Sequence, residues 1–548
     1  MRLSRILLLC QLALLPGGVA VAQYAWVHLA DKQGSTLVPA DYFSPQAQLR
    51  RQLLGLPSHA YTDLPVRADY LQQVSERVDT VYYASRWLNA LAVRATEAQL
   101  AALEQLPGVR LVDRYQLVAE AQPAALGARM SSQVGAMGDD NEKAEAYRAY
   151  QMQRLGMDSL RAHGLTGKGV TVAVFDAGFP EVNKAPAFSH MRILKTWDFV
   201  ESTENVYDHN DHGTMVLSCI GGMAASKPIG LATEASFLLA RTEKAVGEPF
   251  EEEVWWMQAA EWADKEGADI ISSSLGYNRP RYHPSQMDGR SSYVSRAANV
   301  AASKGILVIN AAGNEGSNSW KYLITPADAD SVMAVGGTDP TTDYAIGFTS
   351  YGPTADGRLK PNVCAPGHTA VYNGEELTLA YGTSFAAPLV AGFAACARQY
   401  LPGLTAMELK ARIERTGHLA PYYDYAHGYG IPQARKLLHE NAQPDTTVRI
   451  RVNEYTEGKR KGEKYQEAYA LLDRVLLPGT DQPGMIFYHV ADQAGVLKAF
   501  FVAQVTGKGV IKLSINTYDA NYRLDPQTDV IRFHYEGFTQ ALPIGRHD

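Results

Sequence analysis

Residues 170–178 read VTVAVFDAG, an apolar run that closes on a carboxylate and a glycine. Successive side chains of a strand point to opposite faces, so a strand with one wet face alternates apolar and polar residues. This run does not alternate, which suits a strand buried on both faces and hence a parallel sheet. The same texture returns in SFLLAR (236–241), DIISSSLG (269–276), ILVINAAGN (306–314) and VMAVGGT (332–338). Between them EEEVWWMQAAEWADKEG (251–267) predicts a helix with Trp255, Ala259, Trp262 and Ala263 on one face and acids in the first turn, where the helix dipole favours them. Residues 150–440 are therefore expected to be α/β, with a mainly parallel sheet covered by helices.

Outward from that region the texture changes. A chain of 548 residues is too long for one ordinary core. Residues 1–22, MRLSRILLLCQLALLPGGVAVA, carry two arginines, an apolar run and a small-residue Ala-Val-Ala end, the pattern of a secretory signal peptide. The chain is thus expected to be secreted, and no later stretch approaches the roughly 20 apolar residues that a membrane span needs. Residues 23–122 mix strand and helix patterns: Leu100, Leu103 and Leu106 follow helical spacing, and GVRLVDR (108–114) alternates like a strand. Residues 123–149 open with PAALGARMSSQVGAMGDDNEKAE, which lacks periodicity and predicts an exposed linker. Residues 441–548 alternate again, as in TTVRIRVNEY and GMIFYHVAD, and predict an all-β C-terminal domain.

The net charge of −7 offers no general attraction to nucleic acid or anionic membrane, and neither is expected as a partner. Cys10 leaves with the signal peptide. Cys219, Cys364 and Cys396 remain, too few for a framework of bridges, and predict small buried apolar residues.

Four places carry chemistry. Asp176 stands at the end of the first apolar run, where α/β sheets build their sites, although a D-x-G can also simply cap a turn. In YDHNDHGTMVLSCIGG (207–222), His209 and His212 lack the helical i, i+4 spacing or third partner of a zinc site. His212, followed by Gly213, suits a general base, and His209 an exposed loop. Ser384, in AYGTSFAAPLVAGFAACARQY (380–400), opens an Ala-rich helix whose free N–H groups support negative charge, unless it serves only as a helix cap. Asn314, in NAAGNEG (310–316), is either a turn residue or an amide placed to donate to a developing oxyanion.

In type and in order, Asp176, His212, Asn314 and Ser384 resemble the subtilisin-like serine proteases, the subtilases of peptidase family S8. The resemblance spans about residues 150–440 and includes GKGVTVAVFDAG, DHGT, SSSLG, AAGNEG, FTSYGPTADGRLKPNVCAPG and YGTSFAAP. It implies a serine endopeptidase in which Asp176 orients His212, His212 takes the proton of Ser384, and Ser384 attacks a peptide carbonyl whose oxyanion Asn314 holds. Ser274, Leu275 and Gly276 match the family's substrate-groove segment, where an extended peptide adds as a strand. ITPADADSVMAVGG (324–337) would contribute to the primary pocket, and its small and apolar residues suggest an apolar P1 residue. Residues 23–122 resemble the family's inhibitor-like propeptide, so the partners implied are polypeptide substrates and the chain's own propeptide. No cofactor is required for such chemistry. Structural calcium is common in the family, but its scattered ligands have no readable signature, so the metal content stays unknown.

Three positions depart from the usual pattern: Ala177 for Ser or Thr, Met215 for His and Phe385 for Met. None removes a reacting group. An esterase of the α/β-hydrolase type would need its acid and base after Ser384, and Asp424 and His427 follow too closely for that fold. A non-catalytic binding protein on the same scaffold would be marked by loss of a triad member, and none is lost.

Overall fold

The structure, a computed structural model, describes residues 22–115, 133–134, 140–244, 247, 249–439, 448–460, 463–474, 484–505, 510–516, 525, 527–535 and 537–543. The expected signal peptide and most of the linker lie outside the described residues. The chain forms two compact units, one of Met1–Thr36 with Leu64–Tyr115 and one of Leu37–Asp63 with Gln116–Asp548.

In the first unit an antiparallel sheet runs in the order Thr80–Ser85, Ala90–Ala95, Gln23–Leu29, Val109–Arg114. The central strand buries Ala25, Val27 and Leu29 against Leu91 and Val93 of its neighbour. Helix Glu97–Leu103 starts at a capping box between Thr96 and Gln99 and adds Leu100 and Leu103 to the same core. Leu100 and Leu103 on the helix and the strand at residues 109–114 agree with the sequence reading, whereas Leu106 lies beyond the helix, which ends at Leu103.

In the second unit seven parallel strands form one sheet. They are β1 (Thr171–Asp176), β2 (Arg192–Asp198), β3 (Ser236–Arg241), β4 (Ile270–Ser273), β5 (Leu307–Ala311), β6 (Met333–Thr338) and β7 (Val363–Pro366), in the order β7-β6-β5-β4-β1-β3-β2. Five of the seven are the unbroken apolar runs. The unit's main helices are α1 (Pro45–Leu53), α2 (His212–Gly221), α3 (Glu251–Glu266), α4 (Tyr293–Ser303) and α5 (Thr383–Tyr400). Every residue of β1 is buried, as the absence of alternation requires. Val172 and Val174 share a core with Leu217 of α2 and with Leu389 and Phe393 of α5. Phe175 points to the opposite face and meets Trp256 of α3 edge-on, with ring centroids 5.6 Å apart.

That contact corrects the face expected for α3. Trp256, not Trp255 or Trp262, is the fully buried tryptophan, because its indole N–H donates to Ser273 Oγ at 3.0 Å while its ring packs on Phe175. Ala259 and Ala263 are buried as expected.

The described C-terminal residues form antiparallel strands, Val448–Arg460, Glu463–Arg474 and Val510–Asn516 in one sheet and four strands between Gly484 and Pro543 in another. Phe487 of the second sheet packs with Leu419 and Tyr422. Cys219, Cys364 and Cys396 are free and buried, and burial pushes their thiols up, that of Cys396 to about 12. No helix among the described residues is long and apolar enough to cross a membrane.

Phe175→Ala is expected to destabilise the second unit by about 3–5 kcal/mol, through loss of a fully buried ring and its partner. A lowered urea midpoint, followed by tryptophan fluorescence, checks it.

Candidate active site

Asp176 is the last residue of β1 and is fully buried. Its Oδ1 accepts the Ala177 N–H at 2.8 Å and faces His212 Nδ1 at 2.8 Å. With Nδ1 donating to a carboxylate, the neutral ring keeps Nε2 as the free base. His212 opens α2, and its own backbone N–H donates to Asn210 Oδ1 at 2.9 Å. The approach of α2 to β1 is so close that a Cβ on Gly213 would lie 2.3 Å from the Gly178 oxygen and 2.9 Å from Asp176 Cβ. Only glycine fits there, which explains the residue after the candidate base. Burial disfavours the imidazolium, but the Asp176 charge and hydrogen bond, with a smaller contribution from Asp211, outweigh it and raise the His212 pKa.

Ser384 lies in the first turn of α5 and is fully buried. The hairpin His368–Tyr372 and Leu377–Tyr381 delivers the chain to it through Gly382, whose φ of 146° favours glycine. Asn314, just beyond β5, is fixed by Thr383: Asn314 Oδ1 accepts from the Thr383 backbone N–H at 3.0 Å and from its hydroxyl at 2.9 Å. That leaves Nδ2 as the outward donor. A Cβ on Gly382 would stand 3.4 Å from Asn314 Nδ2 and 3.7 Å from the Ser384 backbone nitrogen, so both donors border the same space. Four buried side-chain atoms here have no hydrogen-bond partner among the described residues: Asp176 Oδ2, His212 Nε2, Asn314 Nδ2 and Ser384 Oγ. Buried polar atoms are otherwise almost always paired, so their concentration marks a place prepared for another molecule.

Ser274, Leu275 and Gly276 continue directly from β4. The Ser274 hydroxyl donates to the Ser384 carbonyl at 2.7 Å and braces the start of α5, while Asn310 Nδ2 donates to the Leu275 carbonyl at 2.9 Å. A Cβ on Gly276 would lie 2.3 Å from Ile324 Cδ1. Of the departing residues, Met215 and Phe385 are buried, and the Phe385 ring lies 5.5 Å from the His212 ring. Ala177 offers no hydroxyl to Asp176, consistent with the partnerless Oδ2. Sequence reading missed Thr383, and it expected the segment that begins at Ile324 at the primary pocket without singling that residue out. The hydroxyl directly before Ser384 was the available signal for the first, whereas only tertiary contact identifies the second.

His209 is exposed, as expected, yet not idle. Arg241 Nη1 lies 2.8 Å from Asp198 Oδ2, 3.3 Å from Glu201 Oε1 and 3.1 Å from His209 Nε2. These three residues could group around a metal ion, but the guanidinium already supplies the positive charge they surround. Asp424 and His427 form their own buried pair, with His427 Nδ1 2.9 Å from Asp424 Oδ1 and Nε2 accepting the Ala345 N–H at 2.8 Å. Both ring nitrogens are occupied, so His427 is no base for Ser384.

Residues 167–442 match the Subtilase family, and residues 24–128 match the Peptidase S8 propeptide domain, Bacteroidota. Serine protease AprX of Bacillus subtilis (strain 168) is 33% identical over 280 residues, which cover 45% of this chain and 60% of that protein. Subtilisin Savinase of Lederbergia lenta is 31% identical over 271 residues, covering 48% of this chain and 89% of that one. The chain thus spans only about three-fifths of the length of the first of these relatives. Among solved structures, the crystal structure of MycP1 with the N-terminal propeptide removed aligns at 25% identity and a TM-score of 0.43, over 54% of this chain and 97% of that one.

The balance of forces at His212 has a measurable consequence. Its imidazole should titrate above its ordinary value, and Asp176→Asn should move the titration below that value, because burial is then opposed only by the smaller contribution of Asp211. NMR of the ring nitrogens against pH checks this, and an unmoved titration would show that Asp176 does not set the charge of the ring.

Proposed function

Given that the chain belongs to the subtilase family, we propose that it is a secreted serine endopeptidase made as a self-processing zymogen. The observation that carries this reading is the 2.8 Å contact of His212 Nδ1 with Asp176, set among the partnerless Nε2 of His212, Oγ of Ser384 and Nδ2 of Asn314. In this reading Asp176 holds the ring in the tautomer that leaves Nε2 free and stabilises the imidazolium once it forms. Nε2 removes the proton from Ser384 Oγ as that oxygen bonds to the peptide carbonyl carbon. The carbonyl oxygen gains the negative charge and takes up hydrogen bonds from Asn314 Nδ2 and the Ser384 backbone N–H. His212 then returns the proton to the leaving amine, and water, activated by the same ring, hydrolyses the acyl-enzyme.

Secretion would follow from the signal pattern of residues 1–22. Self-processing is supported by the match to a propeptide domain and by the course of the linker. Gln133 and Val134 pair antiparallel with Tyr381 and Ala380, the residues that lead into Gly382 and Ser384. The primary pocket would lie between the backbones at Gly276 and Gly313. Ile324 reaches into that gap, its Cγ1 3.1 Å from where a Gly313 Cβ would stand. A filled pocket favours small apolar P1 residues such as alanine.

Ser384→Ala is expected to abolish cleavage of a chromogenic peptide and to leave the purified protein uncut in the linker. Asn314→Ala should lower kcat by about 10²–10³ with little change in KM, the size known for the matching amide of subtilisin itself. Undiminished turnover by Ser384→Ala would end this reading. Ile324→Ala should raise kcat/KM for leucine or phenylalanine at P1, relative to alanine, by roughly tenfold or more. An unchanged P1 profile in a peptide library would place the pocket elsewhere.

A further inference from the structure

Residues 24–128 match a propeptide domain, yet residues 37–63 within them fold as part of the catalytic unit. Helix α1 is the reason. Its first turn is capped by Ser44, whose own backbone N–H donates to the Lys265 carbonyl at 2.9 Å. From its buried face Arg50 pairs with Asp264 Oδ1 and donates to the Ala268 carbonyl. Arg51 pairs with Asp264 Oδ2 at 2.8 Å, with its guanidinium 4.0 Å from the centre of the Phe43 ring. At the end of the segment Asp63 Oδ1 lies 2.7 Å from Lys304 Nζ. All five charged residues are at most 4% exposed.

The surface that receives them is shaped for the segment. A Cβ on Gly267 would lie 2.6 Å from the Ala47 nitrogen, and one on Gly305 would lie 2.4 Å from Leu54 Cδ1. Gly267 precedes β4 and Gly305 precedes β5, so this cradle stands at the amino ends of the strands whose carboxyl ends lead to Ser274 and Asn314. It is therefore at the opposite end of the sheet from the candidate active site. Charges buried this deeply are tolerated only while paired, and removing the segment would strip Asp264 and Lys304 of these partners.

We propose that residues 37–63 are a latch, a second docking element of the propeptide that binds the amino ends of β4 and β5. Cutting the linker then yields a two-chain complex rather than a free enzyme, and the latch holds the cut propeptide in place. This rests on the reading of residues 23–122 as a propeptide severed in the linker. The two are separated by making the cut with an added site-specific protease, at a recognition sequence placed between residues 123 and 132 of the Ser384→Ala full-length chain.

After that cut, the N-terminal fragment is expected to co-elute with the remainder in size-exclusion chromatography, in 1 M salt as in 0.15 M, because buried pairs are little screened. Doubly substituted R50A/R51A should release the fragment at least a hundredfold faster, whereas Arg67→Ala, which removes the partly exposed ion pairs with Asp31 and Asp69 in the other unit, should not. If R50A/R51A fails to accumulate, Lys304→Ala read in the same way decides, with release accelerated at least tenfold. Immediate release from the parent chain, or equal retention of the fragment by the Arg50/Arg51 or Lys304 variant and the Arg67 variant, would overturn the latch.

Discussion

A buried carboxylate at the tip of a buried strand organises this molecule. Asp176 has no access to solvent, and an ionised group there is sustainable only by what the protein places around it. His212 meets that need at 2.8 Å, and the requirement spreads outward from it. Helix α2 must approach β1 until nothing larger than glycine fits at position 213, and the helix must itself be buried to lie so close. A sheet of unbroken apolar strands, covered by the Ala-rich α5, is the frame that allows both. Removing His212 would leave the buried Asp176 carboxylate with only the Ala177 N–H as a partner.

The neighbourhood of Ser384 follows the same economy of fixing one atom to free another. Thr383 occupies the acceptor of Asn314 and so leaves its donor exposed to the space beside Gly382. Ser274 occupies the Ser384 carbonyl and leaves the hydroxyl unclaimed. Positions are set by hydrogen bonds that point away from the chemistry, so the groups facing it meet an incoming molecule already oriented.

Much of this was legible in the sequence because its signals are local. An apolar run without alternation declares a doubly buried strand, and all five such runs became strands of the parallel sheet. Leu100 and Leu103 declared their helix in the same way. The tryptophans of α3 were not legible, since two adjacent indoles satisfy the same spacing and only the Ser273 hydroxyl and the Phe175 ring decide between them. Ile324 lay in the segment expected at the primary pocket, but nothing local singled it out, since its contacts are with Gly276 and Gly313. Least legible was the allegiance of residues 37–63. Nothing local marks Arg50 and Arg51 for burial, and the aspartate that pairs with both is more than 200 residues away.

The three sulfhydryl groups of the second unit bear on where this chain can be made. A thiol reacts as its thiolate, and groups held this far above neutrality in an apolar core supply almost none. These three thiols therefore neither form a bridge on entering an oxidising compartment nor lose one on meeting a reductant. Among the described residues, then, folding entrusts no step to a disulfide-forming catalyst.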